Sequence, residues 1–505
     1  MKKTLLAAVS TAAIMIAAPA MANKSNVDQD GTTNTATVDQ TGGVEGEATI
    51  NQTTDDSEAT IIQRDGPPAS ASFTTASNFA EINQNGDQFQ KATIEQENVN
   101  GLAAQNSATV NQTGPGDEFN ADGFAQTASI FQDGSGNTAT ANQDGSGAEL
   151  SETSQTGDGN SSTTNSAALT SFTTASVDQS GDDNSSTVDQ NGNDVMATVI
   201  QGGNGNTSGL TQSGDGSMAS VDQGGNDNAS TIDQSGTNAV AAVNQGGNGN
   251  SSDLTQGRGA GNAFQTNGQQ ALIDQSGDNN VSIAVQSGSR GDLNVSQSGD
   301  RNSSDVLQQG FNNSAGDNTG TVGVAQIGDD NMSDIDQTGQ LSEAFVEQIG
   351  NANMATIDQS VPNDPNPVGG PDPRVAVASI DQDGDGNMST ITQSRAAPNS
   401  GRLAEASSSQ SGNDNVSSIT QTNSLVAGDF SGNMASADQS GDSNMSSIFQ
   451  DGASNEASLI QSGNSNMSDI MQFGEGNLAT VTQSSDGNFS TVNQNGMNNT
   501  ATVSQ

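Results

Sequence analysis

Polar and apolar residues alternate over short stretches of the chain, and each stretch ends on a glutamine. Residues 186–190 read Ser-Thr-Val-Asp-Gln, so Ser186, Val188 and Gln190 share one face of a strand, because strand side chains point alternately to opposite sides. The same order of a small residue, an aliphatic residue and an amide returns in residues 219–223, 230–234, 241–245 and 479–483. The alternation predicts β-strands that bury this face.

Glutamine recurs every eleven residues, and Gly, Asp and Asn fill the segments between the strands. These residues favour turns, because glycine tolerates positive φ and Asp and Asn bond to their own backbone. One buried Val or Ile contributes about 1.5–3 kcal/mol, whereas fixing eleven residues costs about 1–2 kcal/mol each. A single unit therefore needs neighbours above and below it. The sequence predicts an all-β fold, a β-solenoid of stacked strand-turn-strand coils (about 22 residues per coil) forming two facing parallel sheets.

The register predicts which side chains lie inside. Residues 22 apart stack on successive coils, so Gln179 lies under Gln201, and the amides form ladders. We expect ladder positions at Gln179, Gln190, Gln201, Gln212, Gln223, Gln234, Gln245, Gln256, Asn184 and Asn228. We expect core positions at Val188, Val199, Val221, Ile232 and Val243.

Interruptions of the eleven-residue spacing divide the chain. We expect a signal peptide at 1–22, irregular repeats at 23–156, a break at 157–174, a regular solenoid at 175–360, a Pro-rich loop at 361–376 and a C-terminal solenoid at 377–505. Every proline after the signal lies where the spacing breaks, as expected for a residue that cannot donate a ladder hydrogen bond.

The N-terminal segment and the charge indicate a secreted protein. Two lysines, an apolar run at 5–18 and Ala20-Met21-Ala22 have the form of a secretory signal, and no later segment has the length to cross a membrane. The net charge of −48 argues against nucleic acid as a partner. The chain contains no His and no Cys, so no nucleophile–base pair of that kind can form, and we expect neither an enzyme nor a cofactor.

Two outer features suggest contacts with other molecules. Apolar Phe449, Ile460 and Met471 occupy outward positions before a glutamine, where other repeats place Asp, Thr or Asn, and we expect them to form a stripe for lateral contact. Residues 501–505 form a strand without proline or charge, whose open edge is a template for another chain.

The motif Gln-x-Gly-x-x-Asn-x-Ser/Ala-x-Val/Ile-x-Gln resembles the curlin repeat of curli, the bacterial functional amyloid. Residues 223–234 and 439–450 carry it in full. The resemblance implies a secreted subunit that crosses the outer membrane unfolded and polymerises with itself into matrix fibres that support adhesion and biofilm. It also implies a nucleator subunit and outer-membrane secretion machinery as partners. The length and the interrupted spacing leave open a major subunit, a nucleator or a tethered relative.

Two other classes stay open at this point. Asp-Gly-Asp-Gly-Asn at 383–387 is similar to calcium-binding turns, so a calcium-ordered repeat adhesin is the alternative. Calcium β-rolls use a nine-residue period, which eleven does not match. A chelator would abolish the β signal of such an adhesin. An ice-binding solenoid would need a flat outward Thr array, whereas the outward positions here mix Ser, Thr, Asp and Ile.

Overall fold

The computed structural model describes fifteen stretches of the chain. They are 23–41, 46–65, 78–86, 89–98, 105–114, 126–145, 147–167, 172–257, 268–311, 314–315, 323–340, 342–360, 376–395, 404–423 and 432–505. The expected signal peptide, all ten prolines and the expected Pro-rich loop up to residue 375 lie outside the described residues.

The described residues form β-strands that follow the polar–apolar alternation, and they contain no helix. The chain divides into two compact units, 1–238 and 239–505. Each unit contains two parallel sheets, and consecutive strands alternate between them apart from one split strand. We call the sheets A1 and B1 in the first unit and A2 and B2 in the second.

In the first unit the two sheets contain seventeen described strands. Sheet A1 contains β1 (Lys24–Gln29), β3 (Glu47–Gln52), β5 (Phe79–Gln84), β7 (Ser107–Gln112), β9 (Thr138–Gln143), β11 (Ser161–Ser166), β13 (Ser185–Gln190), β15 (Thr207–Gln212) and β17 (Ala229–Gln234). Sheet B1 contains β2 (Thr35–Thr41), β4 (Glu58–Asp65), β6 (Gln90–Asn98), β8 (Gln126–Asp133), β10 (Glu149–Thr156), β12 (Thr173–Ser180), β14 (Met196–Gln201) and β16 (Met218–Gln223).

The second unit repeats the arrangement. Sheet A2 contains β19 (Ser251–Gly257), β21 (Val281–Ser289), β23 (Ser303–Phe311), β26 (Met332–Gln340), β28 (Met354–Ser360), β30 (Met388–Arg395), β32 (Val416–Asn423), β34 (Met445–Ala453), β36 (Met467–Glu475) and β38 (Phe489–Met497). Sheet B2 contains β18 (Val240–Gln245), β20 (Gln270–Ser276), β22 (Asp292–Ser298), β24 (Ser314–Ala315), β25 (Val324–Ile327), β27 (Ser342–Ile349), β29 (Ala376–Asp383), β31 (Ala404–Ser411), β33 (Met434–Ser440), β35 (Glu456–Ser462), β37 (Leu478–Gln483) and β39 (Thr500–Ser504).

The register between coils is the one that the glutamine spacing predicts. Gln179 pairs with Gln201 on sheet B1, and Gln190 pairs with Gln212 on sheet A1, both in parallel strands. The predicted β-solenoid with two facing parallel sheets is therefore confirmed. The expected core residues Val188, Val199, Val221, Ile232 and Val243 are all fully buried.

In the second unit the two inner faces differ in composition. At the first inward position of each strand, sheet A2 places serine except for Ala355, as in Ser304 and Ser389. Sheet B2 places alanine at the same position in most strands, as in Ala378 and Ala457. Several of the serine hydroxyls are buried with no hydrogen-bond partner, Ser304 Oγ and Ser389 Oγ among them. The narrow core thus accepts small side chains on both walls without requiring that each be apolar.

The turns bring successive coils so close that a side chain would collide. Gly181 has φ of 108°, and a Cβ built on it would lie 2.4 Å from the carbonyl oxygen of Gly203, one coil further on. Gly203 would in turn collide with Gly225 at 1.9 Å. Glycine is therefore required by the spacing of the coils as well as by the positive φ.

Two details differ from the expectation. The segment 157–174, expected to be a break, contains β11 (Ser161–Ser166), which pairs with β9 and β13. Its last residue is Ser166 instead of glutamine, so the eleven-residue spacing of glutamines does not predict this strand. Longer segments between strands also leave the register intact, since Gln348 pairs with Gln382 across 34 residues.

Candidate functional site

The glutamines form hydrogen-bonded ladders along the sheets. Gln179 Nε2 donates to Gln201 Oε1 at 2.7 Å, and Gln201 Nε2 donates to Gln223 Oε1 at 2.8 Å. All three side chains are fully buried. In the low dielectric of the core an amide without partners would be costly, so each amide stabilises the stack by satisfying its neighbours.

Ladder glutamines such as Gln201 and Gln212 also join the two facing sheets, which the sequence pattern did not predict. Besides its ladder bond, Gln201 Nε2 donates to the carbonyl oxygen of Ser185 on sheet A1, at 3.1 Å. On sheet A1, Gln212 Nε2 donates to the carbonyl oxygen of Met196 on sheet B1, at 2.9 Å. In both cases the acceptor lies sixteen residues earlier. The amide thereby uses both of its N–H groups, one along the stack and one across it.

The other expected ladder glutamines occupy equivalent places. The ladder bonds measure 3.1 Å from Gln190 to Gln212, 2.9 Å from Gln212 to Gln234, 2.9 Å from Gln245 to Gln275 and 2.8 Å from Gln256 to Gln286. The ladder also continues through the irregular N-terminal repeats, as in the 2.9 Å bond from Gln63 to Gln96.

The ladders have a direction. In every glutamine pair described above the lower-numbered side chain donates and the higher-numbered one accepts. At the first coil, Gln29 and Gln40 donate to Gln52 and Gln63, and within the described residues nothing donates to their Oε1 atoms. At the last coil, the Nε2 atoms of Gln494 and Gln505 donate only across the sheets. The first coil therefore exposes acceptors, and the last coil exposes donors.

Asparagine forms a second ladder at the start of the A1 strands. Asn184 Oδ1 accepts from the backbone N–H of Asn206 at 2.9 Å, and Asn206 Oδ1 accepts from the N–H of Asn228 at 2.9 Å. Asn184 Nδ2 donates to the carbonyl oxygen of Gly203 at 2.6 Å. The expected ladder residues Asn184 and Asn228 thus bond to backbone groups of neighbouring coils and do not pair directly with each other.

Turn carboxylates form a third ladder. Asp182 Oδ1 accepts from the backbone N–H of Asp158 at 2.9 Å, and Asp385 Oδ1 accepts from that of Asn351 at 2.8 Å. Asp385 belongs to the Asp-Gly-Asp-Gly-Asn turn that suggested calcium. Its carboxylate therefore has a structural role in stacking the turns. The described residues contain no group of three or more His, Cys, Asp or Glu side chains that could hold a metal ion.

Carboxylates gather on the outward face of sheet A2. Asp305 stacks on Asp334, and Asp336 stacks on Asp358. Burial raises the pKa of Asp336 above its ordinary value, and the neighbouring carboxylates of Asp358, Asp334 and Asp305 raise it further. Burial and the charge of Asp334 also raise the pKa of Asp305. Ionisation of Asp336 and Asp305 thus opposes folding, because burial disfavours the charged form and like charges lie one strand apart.

The expected apolar stripe has to be corrected. Phe449 and Met471 are neighbours in register on sheet A2, where the Phe449 ring lies 5.5 Å from that of Phe473. Ile460, however, lies on sheet B2, between Asp438 and Thr482. Strands adjacent in sequence belong to opposite sheets, so their outward residues face away from each other. The three residues do not form one row.

A longer apolar row was missed. The first outward residues of seven successive A2 strands stack in register and form what we call the methionine column: Met332, Met354, Met388, Val416, Met445, Met467 and Phe489. The signal in the sequence is the repeated pair Asn-Met at the start of strands, for example Asn353-Met354.

These features define the class of the protein as a repeat β-solenoid whose coils are held by buried amide ladders. The family model described as Curlin associated repeat matches residues 174–202, 196–224, 299–339, 328–360, 441–474 and 474–505. Residues 174–505 thus carry six repeats of the curlin-repeat family. No curated protein matches it. Where the structure describes the chain, no helix is both long and apolar enough to cross a membrane.

Proposed function

We propose that the chain is a secreted structural subunit that assembles end to end into curli-like amyloid fibres of the extracellular matrix, where the fibres support adhesion and biofilm. The curlin repeats and the all-β solenoid fold are those of a structural protein, and they support this proposal. Outer-membrane secretion machinery and a nucleator subunit are the partners that this role requires besides the chain itself.

The observation that carries the proposal is the complementarity of the first and last coils. Strands β1 and β2 pair on one side with β3 and β4, and β38 and β39 pair on one side with β36 and β37. Within the described residues the other side of each strand is open. Donor amides of Gln494 and Gln505 would meet acceptor amides of Gln29 and Gln40, so addition continues the ladders and the backbone pairing.

The experiment tests the last coil with a matched pair of substitutions. Val503 lies at an inward position of its strand, whereas Thr502 points outward and is exposed. We expect Val503→Asp to stop elongation, because it places a charge where the next coil would bury it. We expect Thr502→Asp to elongate at close to the wild-type rate. Elongation is followed by seeded thioflavin T fluorescence.

Circular dichroism of the subunits checks that both variants fold alike. Wild-type fibres should give the strand-spacing reflection at about 4.7–4.8 Å in fibre diffraction. Equal elongation of the two variants, or a wild-type chain that stays monomeric at high concentration, would refute end-to-end assembly.

A further inference from the structure

The outward faces of the second unit differ in charge over their last coils. Over the first five positions of β30, β32, β34, β36 and β38, Asp469 is the one carboxylate among the described outward side chains. The corresponding positions of sheet B2 carry four, which are Asp381, Glu405, Asp438 and Glu456. Asp451 and Glu475 lie further along β34 and β36, towards their ends. We call the A2 side of these five strands the neutral face.

The neutral face is also the apolar one. It holds the C-terminal five members of the methionine column, with Met388, Met445 and Met467 between 43% and 46% exposed and Phe489 63% exposed. Phe449, Met471 and Phe473 extend it along β34 and β36. A contiguous apolar row of this kind is unusual on a surface, where apolar residues normally occur singly.

We propose that the neutral face binds the neutral face of a second copy of this chain, so that two fibres pair laterally with their acidic B2 faces outward. A chain with a net charge of −48 repels its copies, and the repulsion is weakest where the facing surface carries the fewest carboxylates. A cationic partner would instead select the acidic sheet. The same patch on both copies is the usual arrangement of a two-fold contact.

The spacing of the rows also selects a second copy. The column repeats at the strand spacing of about 4.8 Å, so side chains of an identical column interleave over every row, whichever way the copy runs. A partner without that repeat matches only one or two rows. The acidic B2 face opposes addition of a third fibre, so the contact produces pairs and not indefinite bundles.

The area sets the strength of the contact. Five strands at about 4.8 Å, each presenting about five residues at about 3.3 Å, make a face of about 400 Å² per molecule. This is about half of what each partner contributes to a stable dimer. Subunits therefore pair weakly, and pairing becomes strong only when many faces are joined in a fibre. In this respect the inference rests on the proposed end-to-end assembly.

The first test is oxidative footprinting of methionine in wild-type protein. Hydrogen peroxide transfers one oxygen atom to the thioether, giving the sulfoxide and water. We expect Met388, Met445 and Met467 to react at least about tenfold more slowly in fibres than in subunits. Met434 is the control, because it is 50% exposed on sheet B2 between Glu405 and Glu456 and should react equally in both. Equal protection of Met434, or no protection of the column, overturns the proposal.

The second test uses charge on the face. Val416→Asp in the middle of the column should halve the mass per length of the fibres and leave seeded elongation unchanged, whereas Met434→Asp should change neither. Unchanged mass per length in Val416→Asp overturns lateral pairing, and loss of elongation in wild type overturns end-to-end assembly instead. Lateral pairing can also be measured without fibres, by sedimentation equilibrium of Val503→Asp subunits, which should not elongate. A weak dimer that Val416→Asp abolishes supports the pairing, and a monomer at the highest concentration refutes it.

Discussion

Replacing one buried amide of the glutamine ladder should open the coils around it. Gln201→Met keeps the length of the side chain and removes its donors and acceptor. The substitution breaks the bonds to Gln179, Gln223 and the carbonyl oxygen of Ser185, which measure 2.7, 2.8 and 3.1 Å. Each bond contributes about 0.5–1.5 kcal/mol, and a buried group left unpaired costs about 1–3 kcal/mol. We expect a local loss of about 3 kcal/mol, since the methionine regains part through apolar burial.

Hydrogen exchange measured by mass spectrometry is the suitable assay, because stability in a repeat protein is a sum of local terms. About 3 kcal/mol corresponds to about a hundredfold faster exchange of the amides in β13, β14 and β16. Peptides covering 437–461 should not change. Thr198→Met is the control on the same strand, because Thr198 points outward and makes no ladder bond.

A double substitution gives a stricter test. Gln201→Met together with Gln223→Met removes a bond that each single change already breaks, so the double variant should cost about 1 kcal/mol less than the sum. An increase of exchange below threefold in Gln201→Met would contradict the importance of the ladder. Strict additivity of the two changes would contradict the direct bond between them.

Three further outcomes are expected. Gly181→Ala should lower the urea midpoint by the equivalent of about 1–3 kcal/mol, because the residue has a positive φ and its new Cβ would collide with the Gly203 carbonyl oxygen. Gly209→Ala should not lower the midpoint, because a Cβ there meets open space. Equal effects of the two substitutions would refute the close stacking of turns. Ser304→Ala should stabilise the fold by about 1 kcal/mol, because it removes a buried hydroxyl without a hydrogen-bond partner. Ser490→Ala should destabilise the fold, because the Ser490 hydroxyl bonds to that of Ser468 at 2.8 Å. A loss of stability in both variants would contradict this reasoning. Asp336→Asn should raise the urea midpoint at pH 7, because the folded pKa of Asp336 is raised and its ionisation opposes folding. The gain in stability should vanish below pH 3.8, where the carboxyl is protonated in both the folded and the unfolded chain. A gain that persists at pH 3 would exclude this cause.

The sequence predicts the coil and its register because the ladder positions have a fixed identity. An amide at every eleventh residue, with a small and an aliphatic residue before it, leaves one arrangement in which Gln179 lies beside Gln201. The interior around Val199 follows from the two-residue alternation. These features depend only on strand geometry and spacing, which a sequence contains.

Other features depend on how the two facing sheets are positioned against each other. The bond from Gln201 to the Ser185 carbonyl joins positions sixteen residues apart, and no repeat of that length exists in the sequence. Phe449 and Ile460 lie on opposite outer faces because consecutive strands alternate between the two sheets, and a count of whole coils does not reveal this. Strand β11 lacks the final glutamine, and its pairing with β9 and β13 identifies it instead.

The tolerance for extra residues between strands has a consequence for how such a chain can change its length. Gln326 and Gln348 are 22 residues apart and bond at 2.8 Å, while Gln348 and Gln382 are 34 residues apart and bond at 2.9 Å. Closing a loop twice as long costs only about 0.6 kcal/mol. Foreign peptides inserted between β28 and β29 should therefore be displayed without loss of register. In evolution, the same property allows insertions at the corners to accumulate while the strands themselves stay unchanged.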